Sequence, residues 1–223
     1  MQEKNKLNKM FTFKKMFFLF LIFSFLGCLY EDIYFLFKNY FRHNIFKLVT
    51  KRGLLYFELS PIYGIGGCLM VYIFSKRKNN KFDYFFLGAI IGGVFEYIAS
   101  LFQETVVGTI SWDYSDYFLN INGRTTIPYM LFWGLLSYLV MTKLYPFIEK
   151  MVDKLTLTMN KTLYNLLVFI IVVDVILSLS ACTRMTLRNK GIEAKTFYGE
   201  FLDTYYDDER IKKSFTNMRI RKD

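Results

Sequence analysis

The chain has 223 residues, 53% of them apolar, and Phe and Tyr alone supply 25 and 17 positions. With only 3 Pro and 13 Gly it is neither a disordered nor a collagen-like chain. Charged residues are 22%, with a net charge of +10, but they cluster, and a soluble monomer this small could not hide so many contiguous apolar groups.

A helix that crosses a bilayer needs about 20 mostly apolar residues. Five stretches meet that measure, at residues 16–37, 53–74, 83–102, 126–147 and 163–181. The expected fold is all-α, a polytopic transmembrane helical bundle of about five spans over residues 1–182. A charged soluble tail is expected over residues 183–223. The spans lack the alternating pattern of a membrane β-barrel, and helices satisfy their own backbone groups in lipid.

The first stretch follows Lys4, Lys6, Lys9, Lys14 and Lys15. Phe25-Leu26-Gly27-Cys28 has the outline of a lipoprotein cleavage site, but Phe25 is bulky and the apolar run continues past Cys28. An uncleaved first helix is expected. Glu31 and Asp32 fall in its C-terminal part. The basic stretch 38–52 carries Phe41, Ile45, Phe46 and Val49 near helical spacing, as an interfacial helix would.

The second stretch is interrupted. Ser60-Pro61-Ile62-Tyr63-Gly64-Ile65-Gly66-Gly67 joins a proline to three glycines, a pattern for a kinked, broken or re-entrant helix. Arg52 and Glu58 precede it. The third stretch carries Gly88, Gly92 and Gly93, then Glu96. Gly88 and Gly92 have the small-residue spacing that lets a neighbouring helix approach closely. The fifth carries Asp174 near its middle. Carboxylates at membrane depth are costly and face a bundle interior or a cavity. For Glu96 and Asp174 a packing role and a functional role both stay open.

The loop between the third and fourth stretches reads Trp112-Asp113-Tyr114-Ser115-Asp116 and then Asn120-Ile121-Asn122-Gly123-Arg124. Asn122-Gly123 predicts a tight turn. Asp113 and Asp116 offer carboxylates, and Arg124 a five-donor fork. Either a structural cap or a polar site at the bundle mouth fits. This loop has one basic residue, Arg124, while the other flanks are rich in Lys and Arg, so it is expected outside and the N-terminus inside.

Cys28, Cys68 and Cys182 lie in or beside apolar stretches and read as small buried hydrophobes. The sequence holds no zinc-protease, nucleophile-elbow or Walker A pattern. No metal and no cofactor are expected. The +10 charge reads as membrane-flank charge toward anionic lipid, with no nucleic-acid motif beside it.

Several of these pieces resemble a bacterial family of integral membrane proteins named putative ABC transporter permeases, type IV (CmpB-like). They are Leu29-Tyr30-Glu31, Arg52-Gly53-Leu54-Leu55-Tyr56, Pro61-Ile62-Tyr63-Gly64, Glu96-Tyr97, the Trp112–Arg124 loop, Pro128 and Trp133-Gly134. The likeness runs from about residue 20 to residue 150. It departs at Phe57-Glu58-Leu59-Ser60, where that family tends to carry a Gly-Pro pair. The resemblance implies a multi-pass protein of the cell membrane and a separate ATPase subunit, or another membrane protein, as partner. It marks Arg52, Glu96, Asp113, Tyr114, Asn122 and Arg124 as the matching polar positions. With Glu31, Tyr63, Trp112, Asp116, Asn120 and Asp174 these are the candidate functional residues. Three readings stay open: a transporter permease, a membrane-embedded enzyme acting on a lipid or envelope substrate, and a non-catalytic scaffold or sensor.

Overall fold

The computed structural model describes residues 12–44, 46, 52–76 and 80–221, without the side chains of residues 42 and 43. Lys4, Lys6, Lys9 and most of the basic stretch 38–52 beyond Asn44 lie outside the described residues. The fold is an all-α bundle. It comprises α1 (Phe13–His43), α2 (Pro61–Ser75), α3 (Lys81–Phe102), α4 (Ile127–Leu139), α5 (Tyr145–Thr158), α6 (Lys161–Asn189), α7 (Phe197–Tyr205) and α8 (Asp208–Ser214). Four two-residue strands accompany them: β1 (Thr109–Ile110), β2 (Asn120–Ile121), β3 (Thr125–Thr126) and β4 (Arg219–Ile220).

Polar side chains set the helix starts. Thr12, Thr126, Asn160 and Thr196 each accept an amide of the first turn, and Asn80 forms a reciprocal capping box with Asp83. Two helices continue through π-helical turns. Gln103–Val107 extends α3, and Val140–Leu144 joins α4 to α5. The second turn precedes Pro146, which cannot donate a backbone hydrogen bond.

Among the described residues, four helices are long and apolar enough to cross a membrane: Phe13–Phe41, Lys81–Val107, Ile127–Thr158 and Lys161–Asn189. The second predicted span differs. Residues 53–60 form a bent, non-helical loop, and only Pro61–Ser75 is helical, about 22 Å at 1.5 Å per residue. Pro61 stands in the first turn of α2, where its missing N–H costs nothing, so the helix begins there and not at Gly53. The Ser60 amide bonds the Ser24 carbonyl at 3.0 Å, eleven residues into α1. Farther along, Cys68 Sγ reaches the Met16 carbonyl at 3.5 Å. The bent segment thus lies at about half the depth of the bundle, its ends held together by the Gly53 amide on the Leu59 carbonyl at 2.8 Å, and α2 runs from there antiparallel to α1.

Two further boundaries move. The basic stretch after residue 37 begins as a continuation of α1, which ends on Asn44 in the left-handed conformation. The tail expected from residue 183 begins inside α6, which runs to Asn189. Its later part folds onto the bundle. Leu202, Tyr206, Ile211 and Phe215 join Leu55, Val107, Cys182 and Met185 in a second apolar core. Arg184 clamps Asp203 through two 2.8 Å bonds, and Arg188 bridges Asp203 and Asp208. We call this end of the molecule the cap end. At the opposite, basal end Lys15 pairs with Glu149 at 3.2 Å and Asp153 at 2.8 Å.

The helix faces explain the environment. Phe86, Ile90, Val94 and Ile98 form an exposed stripe four residues apart on α3, and Leu166, Phe169, Val173 and Ile176 are exposed on α6. Lipid accommodates such stripes where water would not. The opposite face of α3 carries the glycines. A Cβ at Gly88 would meet Ser137 at 2.4 Å, and one at Gly92 would meet Trp133 at 2.4 Å. Across the seam, a Cβ at Gly134 would lie 2.5 Å from the Phe85 carbonyl oxygen. Close approach here therefore needs glycine on both helices.

Gly134→Ala places its methyl against backbone that cannot swing aside, and should destabilise the bundle by about 1–3 kcal/mol. A lowered midpoint of thermal unfolding in detergent is expected; an unchanged midpoint would contradict the seam. The cap carries its own pH signature. Burial alone would raise the Asp203 carboxyl, but Arg184 and Arg188 outweigh it and hold the group below its ordinary 3.8. A carboxyl depressed on folding stabilises above its unfolded value and loses that contribution as pH falls through the folded one. Amide-exchange protection in α7 should therefore persist down to about pH 3.8 and fall below it.

Candidate functional site

The site grows from one carboxylate. Glu96 sits on the inner face of α3, one turn beyond Gly92, and is 7% exposed. Its Oε1 accepts from the Tyr114 hydroxyl at 3.1 Å, and its Oε2 from the Thr125 hydroxyl at 2.6 Å. Both donors belong to the loop above the bundle. Tyr114 stacks on Tyr129 of α4 with ring centroids 4.6 Å apart, and Trp133 lies beside the carboxylate. Burial and the neighbouring Glu96 push the Tyr114 phenol above its ordinary value, so it stays a donor. Among the described residues, Glu96 has no Lys or Arg partner.

The loop is built to hold Tyr114 and Thr125 in place. β2 and β3 form an antiparallel hairpin, with Asn120 opposite Thr126 and Ile121 opposite Thr125. Its turn places Asn122 at φ 52° and Gly123 at φ 68°, the left-handed geometry that this residue pair favours. The Tyr114 amide bonds the Gly123 carbonyl at 2.8 Å. Asn120 accepts the Gly123 amide and donates to the Ser115 and Tyr117 carbonyls. Asn122 donates to the Tyr97 hydroxyl at 2.9 Å, which ties the hairpin to α3. The Trp112 indole donates to the Arg124 carbonyl at 3.0 Å. Arg124 pairs with Glu104, reaches Ser100 at 3.3 Å and lies over the Tyr97 ring. Asp113 accepts the Ser115 amide and hydroxyl, which hold its carboxyl below the usual range, and Arg219 adds to the effect at 2.8 Å. Asp116 is exposed on the outer turn.

Glu31 and Tyr63 make a second carboxylate–phenol pair. The Tyr63 ring lies 5.9 Å from Trp133 and 6.3 Å from Tyr30. Trp133 therefore stands between the two carboxylates. Arg52 and Asp174 lie elsewhere, Arg52 just before the bent segment and Asp174 against its middle. Arg52 donates to Ser214 of the cap at 3.3 Å. Asp174 is 3% exposed and accepts the Tyr56 and Phe57 amides, each at 3.2 Å, while Ser178 takes the Leu55 amide at 2.9 Å. Asp174 thus caps the non-helical backbone at half depth.

The geometry can now be set beside known proteins. A family model described as "Putative ABC-transporter type IV" matches residues 18–179. The chain belongs to this family. No curated protein and no solved structure matches it. The type IV match contains all twelve candidate residues and ends inside α6, so α7, α8 and β4 lie beyond it. With its apolar helices, membership in this family marks the chain as a membrane protein.

Thr125 and Glu104 complete the site and were not singled out by the sequence. Thr125 stands 29 positions from Glu96, and only the hairpin brings them together. Glu104 did leave a trace: Glu96, Ser100 and Glu104 recur four apart, the spacing of one helix face.

Asp174→Ala strands two amides in an apolar setting and should cost about 2–4 kcal/mol. Asp174→Asn, which keeps an acceptor oxygen, should cost less. Thermal unfolding in detergent measures the cost. Thiol labelling of a cysteine placed at Leu59, which is 8% exposed, should rise in the alanine variant; unchanged labelling would mean that Asp174 does not hold the segment.

Proposed function

We propose that the chain is the permease component of a transporter, crossing the cell membrane several times, with ATP hydrolysis supplied by a separate subunit. One observation carries this reading beyond family membership. Non-helical backbone reaches half depth beside a row of polar groups, Glu31, Tyr63 and Glu96. Interrupted helices of this kind frame binding sites in transporters. The solute would contact this row from the cap end, under the hairpin. Lys14, Lys15, Lys76, Lys81, Lys150 and Lys154 gather at the basal end, which the positive-inside rule assigns to the cytoplasm. There α5 leaves Phe147, Lys150, Lys154 and Leu157 exposed, a face on which a soluble subunit would dock.

Affinity purification in mild detergent, with mass spectrometry of what co-purifies, tests the partnership. An ATPase is expected, and its reproducible absence would overturn the ATP-driven reading. The solute path is tested in cells that lack the gene and carry either the native chain or Glu96→Gln. Glutamine keeps one acceptor oxygen, offers its amide N–H to the other hydroxyl oxygen, and removes the charge. Accumulation of the transported solute, found by comparing cell extracts, should fall about tenfold with the variant still assembled.

A further inference from the structure

We propose that the wall of rings beside Glu31 and Glu96 recognises a quaternary ammonium group, an inference that rests on the transport reading only for what becomes of the ligand afterwards. Tyr30 of α1 lies 5.8 Å from Phe132 of α4 and 6.3 Å from Tyr63 of α2, and Tyr63 lies 5.9 Å from Trp133. Tyr114 and Tyr129 stack at the hairpin end of the same wall. At its outer edge Tyr30 is 39% and Phe132 37% exposed.

Three features select the ligand. Ring faces attract cations electrostatically, and more strongly away from water. Two of the phenols, Tyr63 and Tyr114, donate to carboxylates, which pushes electron density into their rings and deepens the negative faces. Finally, both oxygens of Glu96 already accept hydroxyl hydrogens. A primary ammonium or a guanidinium brings N–H groups that need acceptors of their own, whereas a trimethylammonium brings none. It asks only for apolar contact and a negative field, and the site offers both. Anions are disfavoured by the same field. The outer rim already shows the attraction: Lys38 Nζ lies 5.7 Å from the Tyr34 centroid and 5.4 Å from that of Phe35.

The test uses the full chain in phosphatidylglycerol nanodiscs, with radiolabelled choline as the probe. Saturable binding is expected, with the uncharged tert-butyl isostere of choline at least about tenfold weaker as a competitor. Ile90→Leu, on the lipid-facing stripe of α3 and away from the wall, should bind as the native chain does. Tyr129→Leu and Glu96→Gln should each weaken binding about tenfold. The same measurement in phosphatidylcholine nanodiscs separates two sources of the group. Suppressed choline binding there would assign the site to a lipid headgroup, and unchanged binding to a free solute; either supports the site. No saturable binding, equal competition by the isostere, or full binding by Glu96→Gln would overturn it. Choline binding without a co-purifying ATPase would keep the site and remove the ABC transport reading. An ATPase partner without choline binding would do the reverse.

Discussion

Asp174 answers a problem that the rest of the architecture depends on. Backbone that is not helical must find hydrogen-bond partners in an apolar surround, or each unmet amide costs several kcal/mol. Residues 53–60 are such backbone, and they lie at half depth. Asp174 takes two of their amides, Ser178 a third, and the Gly53 amide bonds back to the Leu59 carbonyl at 2.8 Å. Because the segment is satisfied there, α2 can start at Pro61 in the middle of the bundle. That start places Tyr63 against Trp133 and Glu31. A continuous helix from Gly53 would have turned Tyr63 through a different register, and the aromatic wall would not form.

The second constraint is the glycine seam. Without Cβ atoms at Gly88 and Gly92, α4 comes close enough for Trp133 and Ser137 to fill the space. Glu96 lies on the same face one turn on, so the seam that draws the helices together also fixes the carboxylate under the hairpin. Stability and site are therefore not separable along α3. The lipid-facing stripe of Phe86, Ile90, Val94 and Ile98 is the free side of the same helix.

Much of this was legible in the sequence, for stated physical reasons. Long apolar runs announced the bundle, because lipid demands them. The hairpin turn was legible at Asn122-Gly123, because few residue pairs accept left-handed geometry. Gly88 and Gly92 announced the close crossing. The break near Pro61 was legible, but not its depth, since that follows from Ser24 and Asp174, distant in sequence. Asp174 left packing and function open, and no sequence pattern showed that it would accept the Tyr56 and Phe57 amides, 118 and 117 positions away. The region after residue 183 looked like a soluble tail because its charges are mixed. Those charges are spent on one another, Arg184 and Arg188 against Asp203 and Asp208, which frees Leu202, Ile211 and Phe215 to pack on the bundle. Charge pairing across 15 to 20 positions leaves no periodic signal.

The cap also binds the hairpin to the end of the chain. β4 pairs with β1 antiparallel, with Thr109 opposite Ile220 and Ile110 opposite Arg219. Arg219 reaches Asp113, and Glu104 holds both Arg124 and Arg221. On the other side Tyr206 shares a 2.6 Å hydrogen bond with Tyr56 of the bent segment. The last forty residues thus touch both structures that shape the site, the hairpin above Glu96 and the half-depth segment below it. Neither contact touches Glu96 itself. A movement of the cap would act on the site through those two levers together, because Thr125 follows the hairpin and Tyr63 follows the segment. The polar row is therefore shaped from above and below by chain that lies largely outside the family match, and its geometry is a property of the whole chain.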